Sequence, residues 1–253
     1  MAGLLGLDAT AALQVMVSRP LVVGGLAGGL LGDPALGLAV GSLVELLWMA
    51  GVPVGSLVPP DGTQAGVFAA AVAILLRSSS SYPGAGEAAS SLGVLAAVPV
   101  GILAARAEIV QRHLNGRLSR RAEQYADEGR LDELGAILAT ALGLAWFRGA
   151  VVCGLSLLLG LPALRWILEN LPSDAIKALH WCFWLFWLLG LAVAADHFWE
   201  RRGLKYAALT LVLMAVLGTQ VKMDQLSLVL TAVGLAFAVG LWRWFRARKG
   251  EAV

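Results

Sequence analysis

Four stretches of this chain, 134–161, 178–199, 204–219 and 226–242, are almost wholly apolar. Each approaches or exceeds the roughly 20 residues a helix needs to cross the hydrocarbon of a bilayer. Backbone in lipid has no water to bond, so long apolar segments of this kind fold as helices that satisfy their own amides and carbonyls. Only 14% of the 253 residues are charged and 58% are hydrophobic, against about 25% charged in soluble domains. The reading is an all-α integral membrane protein, a polytopic helical bundle forming one membrane domain over 1–253.

Charge placement orients it. Six arginines, Arg106, Arg112, Arg117, Arg120, Arg121 and Arg130, crowd one hydrophilic segment. Arg201, Arg202 and Lys205 form a second group, and Arg243, Arg246, Arg248 and Lys249 a third. The positive-inside rule puts all three in the cytoplasm, so spans 134–161 and 204–219 run outward, 178–199 and 226–242 return, and 162–177 and 220–225 connect them outside. The domain then divides into 1–105, a cytoplasmic amphipathic helix 106–133, hairpins over 134–242 and a cytoplasmic tail 243–253. Val110, Leu114, Leu118 and Tyr125 mark the apolar stripe of that helix, with Asn115 and Gly116 as its weakest point. The amino terminus lacks a basic n-region and carries Asp8, which reads as part of the fold and not as a cleaved signal.

The amino-terminal third breaks the pattern. Gly24, Gly25, Gly28 and Gly29, then Gly37 and Gly41, form small-xxx-small pairs that let helices approach closely in lipid. Asp33 and Pro34 read as N-cap and first residue of a helix reaching about Ala50. Pro53, Gly55, Pro59, Pro60 and Gly62 stop that helix. The apolar run after them, Ala65 to Leu76, rises only about 18 Å, too short for a core of about 30 Å. A re-entrant or broken-helix segment follows, and such discontinuities line polar cavities in transporters. The stretch SSSSYPGAGEAASS reads as an outer loop, and Pro99 as a kink in the next span.

Two carboxylates stand in this apolar setting, and an intramembrane acid is a functional-site hypothesis by default. Glu45 shares a helical face with Gly41, Ser42 and Trp48. An indole beside an acid and a hydroxyl suits a sugar, the ring taking the apolar face and the acid the hydroxyls; a neutral Glu bonded across a helix interface is the other reading. Asp61 caps the half-helix, points into the cavity, or does both. Arg148 lies deep in an apolar span and needs an anionic or carbonyl partner, with Glu45 and Asp61 the first candidates. Gln14 is a further polar group, placed on the first helix. His113, His180 and His197 read as interfacial.

Cys153 and Cys182 have apolar neighbours and no metal-ligand spacing, so neither a metal site nor a disulfide is expected. No hydrolase, protease or nucleotide-binding motif is present, and no cofactor is implied. The net charge of +2 is dispersed, without the basic patch and interleaved aromatics of a nucleic-acid surface.

The runs RPLVVGGLAGGLLGD, VELLW and VGSLVPPDGT, with SRRAEQYADEGRLDEL and Arg148 further on, together resemble the IIC membrane subunits of the mannose/sorbose/N-acetylgalactosamine class of the phosphoenolpyruvate-dependent sugar phosphotransferase system. The likeness covers most of residues 19–160. It implies a sugar permease subunit of the bacterial inner membrane that works with a IID membrane subunit, in oligomers of IIC/IID units, and takes a hexose or amino-hexose. Phosphoryl transfer would arrive through IIA and IIB, with no phosphorylation site on IIC and so no enzymatic activity of its own. Glu45 and Asp61 become the sugar-site candidates, with Trp48 beside them and Ser42, Arg148 and Gln14 in support. Pro53 stands where the family often has Asn or Ser, and the segment HWCFWLFWLLGLAVAADHFWERRGLKY is richer in tryptophan than the family's. These departures keep a second reading open: a non-transporting scaffold or regulatory component whose aromatic carboxyl-terminal half has closed the cavity.

Overall fold

The computed structural model describes residues 1–10, 14–49, 58–77 and 84–198. Seven helices run through them: α1 Ala2–Thr10, α2 Pro20–Leu31, α3 Pro34–Trp48, α4 Gly62–Arg77, α5 Ala85–Asp127, α6 Asp132–Asn170 and α7 Ser173–Phe198. No strand occurs among the described residues. Residues 1–193 form one compact unit. The spans expected at 204–219 and 226–242, the tail 243–253 and Pro53 lie outside the described residues.

α2 and α3 form a tight hairpin. Gly32 ends α2 at φ 88°, where an L side chain is strained, and the Asp33 amide donates to the Gly28 carbonyl. Asp33 then caps α3, accepting the Leu36 amide at 3.0 Å, with Pro34 at the first helical position. The glycine pairs meet as expected: a Cβ at Gly24 would lie 2.6 Å from the Gly37 carbonyl oxygen and 2.7 Å from Gly41 Cα. Backbone packs on backbone here, as small residues allow in lipid.

α4 is the broken-helix element. Its 16 residues rise about 24 Å, short of a bilayer core, and every residue from Thr63 to Ala73 is buried. Small side chains let neighbours close round it; a Cβ at Gly93 of α5 would meet the Ala69 carbonyl at 2.8 Å. Phe68, Val72 and Leu76 of α4, Val40 and Val44 of α3, and Val94 and Ala97 of α5 share one core, to which α6 adds Leu164 and Leu168 and α7 adds Ile176. A short helix buried in protein from Thr63 to Ala73 keeps that stretch of backbone out of lipid.

Three described helices, α5, α6 and α7, are long and apolar enough to cross a membrane. Their ends differ from expectation. α5 begins at Ala85, so half of the expected outer loop is helical. Ser91 is fully buried there, its hydroxyl donating to the Leu179 carbonyl at 2.7 Å. Pro99 sits inside α5 without ending it, and neither Asn115 nor Gly116 breaks it.

The segment from Arg106 is thus the second half of a continuous 43-residue helix. It turns back at Gly129, φ 74°, with the Arg130 amide donating to the Tyr125 carbonyl in a Schellman-type close. From Gln111 on, its half-buried positions are Gln111, Asn115, Leu118, Ala122 and Tyr125, spaced three and four apart as a helix seam requires. Val110 and Leu114, placed in the apolar stripe by sequence, are exposed. Leu118 and Tyr125 of the expected stripe remain in the seam, which is rotated away from Val110 and Leu114.

α6 likewise runs on to Asn170, through Pro162 and most of the expected connector, leaving only Leu171 and Pro172 before α7. Leu164 and Leu168, one turn apart, are buried in the core, and Arg165 pairs with Glu169 across the exposed turn at 2.9 Å. That packing outweighs the one backbone hydrogen bond that Pro162 removes. Leu155, Leu158, Leu159 and Trp166 project outward from α6, a face fit for lipid tails or a membrane partner.

Candidate functional site

The ends of these helices converge on a cavity of 260 Å³. Its wall takes Arg19 from the start of α2, Glu45 and Trp48 from the last turns of α3, and Pro59, Pro60 and Asp61 from the segment before α4. Glu108 and Arg112 come from α5 and Arg148 from α6. Pocket volumes for drug-sized ligands run from about 300 to 1,000 Å³; this one suits something smaller. Three cations and three acids line it, so the wall carries no net formal charge.

Asp61 holds its place through both main chain and side chain. Its amide donates to the Gly101 carbonyl of α5 at 3.0 Å, its carbonyl accepts from the Ala65 amide, and Oδ1 accepts from the Gln64 amide at 3.1 Å. It is therefore the N-cap of α4 and a wall residue at once. Thr63, buried, donates its hydroxyl to the Ser18 carbonyl at 2.9 Å, tying the head of α4 to the entry of α2.

Gly62 and Gly101 both flank the Trp48 ring; a Cβ at Gly62 would lie 3.6 Å from the indole and one at Gly101 3.5 Å, ordinary contact distances. Trp48 Nε1 and Arg148 Nε are buried and find no hydrogen-bond acceptor among the described residues. Both residues line the cavity, so two donors stand beside the two sequence-expected carboxylates.

Glu45 is engaged by Arg19, whose Nη1 lies 2.8 Å from Oε1, and by the Leu21 amide at 3.4 Å. Arg148 does not pair with Glu45 or Asp61 as sequence suggested. Its Nη1 donates to Glu108 Oε2 at 3.4 Å, while Arg112 holds Glu108 Oε1 at 2.7 and 3.1 Å. Glu108 was hidden because its segment reads as cytoplasmic and its partner lies 40 residues away. Arg112 was hidden with it; the i, i+4 spacing of Glu108 and Arg112 was the available signal.

Two supporting residues stand elsewhere. Ser42 turns back on its own helix, its hydroxyl donating to the Leu38 carbonyl at 2.7 Å, a common resort of a helical serine. Gln14 is not on the first helix. It lies exposed beyond α1 at φ 52°, in a neighbouring recess with Asp8, Met16, Ser18 and Arg19. Asp8 pins that turn, accepting the Val15 amide at 2.6 Å and the Ser18 amide at 3.0 Å. Of the histidines, His113 bonds the Ile109 carbonyl at 2.8 Å and His180 faces Glu87 at 3.6 Å.

Comparison with known proteins matches residues 1–239 to the family model described as the PTS system sorbose-specific IIC component. The mannose-specific EIIC component of Escherichia coli K12 is 26% identical over 133 residues, 53% of this chain and 46% of that protein. The fructose permease IIC component of Bacillus subtilis is 27% identical over 161 residues, 64% of this chain and 56% of that protein. The matched part spans about half the length of these curated relatives. Among solved structures, the cryo-EM structure of the mannose transporter ManYZ with microcin E492 shares the fold at a TM-score of 0.51 and 20% identity, covering 97% of this chain and 91% of that one. Another membrane protein structure does so at 0.60 and 21%, covering 96% and 92%. With the family model running through nearly all of its length, the chain belongs to the sorbose-type IIC family of phosphotransferase-system membrane components.

Proposed function

We propose that this chain is the sugar-translocating IIC permease subunit of a mannose-class phosphoenolpyruvate-dependent phosphotransferase system in the bacterial inner membrane. It works with a IID subunit, in oligomers of IIC/IID units, and carries no phosphoryl group itself; IIA and IIB bring that group to the sugar at the cytoplasmic face, where the carboxyl terminus also lies. The observation that carries this reading is the cavity at the broken helix, where Asp61, Glu45 and the Trp48 ring line one small, charge-balanced space. Carboxylates accept from sugar hydroxyls, an indole covers the apolar face of a pyranose, and unpartnered donors at Trp48 and Arg148 meet ring or hydroxyl oxygens. The scaffold reading requires aromatic residues of the carboxyl-terminal half to fill this space. Among the described residues, none from α7 lines it.

The test is hexose binding to the purified IIC/IID complex. Asp61→Asn keeps an acceptor oxygen for the Gln64 amide and so keeps the cap, but loses a charge-assisted hydrogen bond of about 1.5–3 kcal/mol. Affinity for the cognate sugar falls tenfold or more. Unchanged affinity in Asp61→Asn, with failure of Asp61→Ala to assemble, makes Asp61 a cap and nothing else.

A further inference from the structure

Glu108 has no assigned part in that reading, yet it sits at a junction. Its side chain is 15% exposed and that of Arg148 14%, whereas Arg112 is 57% exposed. One carboxylate oxygen is held from the outer side by both Arg112 contacts, and the other meets Arg148 from α6. Asp61, Glu108 and Arg148 line the same cavity. Arg148 thus shares that wall with both carboxylates, hydrogen-bonded to one of them.

We propose that Glu108 is a positioning residue of the sugar site: by holding Arg148 against α5 it keeps that guanidinium off Asp61 and leaves the Asp61 carboxylate open to a sugar hydroxyl. This rests on the role of Asp61 given above. The Asp61 carboxylate receives the Gln64 amide on Oδ1. A carboxylate has about four lone-pair sites, so capacity remains. An arginine laid on it would take that capacity with two parallel charge-assisted bonds, which outcompete a neutral hydroxyl.

Without the charge of Glu108, a mostly buried guanidinium must find another anion. Glu45 is already engaged by Arg19 and the Leu21 amide. Asp61 is the remaining carboxylate of the cavity wall. Arg112, bound to the far oxygen of Glu108, helps fix the carboxylate where it faces α6.

The experiment measures calorimetric binding of mannose, sorbose and fructose to the full chain in its purified membrane complex. Glu108→Gln keeps size and an acceptor oxygen while removing charge, and lowers affinity for the best-bound sugar about tenfold or more, the worth of one charge-assisted bond. In an Asp61→Asn background the same change has no further effect, because the amide does not attract Arg148. Adding Arg148→Gln to Glu108→Gln removes the displaced cation and returns most of the affinity. That double variant leaves neither Glu108 nor Arg148 as an unpaired charge, so it stands in for the single one should that fail to assemble. Full affinity in Glu108→Gln, multiplying losses with Asp61→Asn, or no recovery with Arg148→Gln overturns the proposal and assigns Glu108 to structure alone. An unsubstituted complex that binds none of the sugars refutes the sugar-site reading itself.

Discussion

The glycine seam between α2 and α3 makes a sharp packing prediction. Gly24 and Gly29 lie on the same helix, and replacing either with alanine gains the same propensity, about 1 kcal/mol. Their surroundings differ. A Cβ at Gly24 would stand 2.6 Å from the Gly37 carbonyl oxygen, 0.8 Å inside the 3.4 Å at which ordinary contact begins, and 2.7 Å from Gly41 Cα. Both neighbours are backbone, so no rotamer change relieves them and the helices must separate.

A Cβ at Gly29 meets nothing within 4 Å. Overpacking of this kind costs about 1–3 kcal/mol, and each kcal/mol moves a midpoint by about 2–4 °C in a chain of this size. Thermal unfolding of the purified complex in one detergent therefore separates the two variants by several degrees, with Gly24→Ala the lower. Equal midpoints refute the claim that backbone contact sets the α2–α3 distance.

Two further outcomes are expected. Ser91→Ala removes a buried hydrogen bond between α5 and α7 and lowers stability by about 0.5–1.5 kcal/mol, read as a drop in the same thermal midpoint; an unchanged midpoint shows that the bond adds nothing net. Cysteines placed at Ser119, near the α5–α6 turn, and at Gly250 resist an impermeant thiol reagent added outside intact cells, because both lie in arginine-rich segments; rapid labelling at either reverses the assigned orientation.

Sequence legibility followed the range of the interaction. The Asp33 cap, the glycine pairs and the shortness of α4 are local matters of backbone geometry and could be read directly. Glu45, Trp48, Asp61 and Arg148 were legible because a charged or amphipathic group in apolar surroundings is conspicuous, and all four reach one cavity. Arg19, Glu108 and Arg112 were not, since charge beside an apolar run reads as an aqueous boundary while α5 in fact carries two of them along the wall. The reach of α6 past Pro162 was likewise hidden, because Leu164 and Leu168 find their core only in the folded chain. Gln14 lies beyond α1 and not on it, and Ser42, on the α3 face expected, satisfies its hydroxyl on its own helix.

Asp61 and Glu45 reach the cavity from different segments of one packed core. Through its amide and the Gly101 carbonyl, Asp61 is fastened to α5, and it caps α4. Glu45 and Trp48 stand on the α2–α3 hairpin, closed by glycine contacts and tied to the head of α4 through Thr63. On the proposed sugar-site reading, a ligand bonded to both acids would bridge these two segments, so the distance between the carboxylates would set the span of ligand that fits.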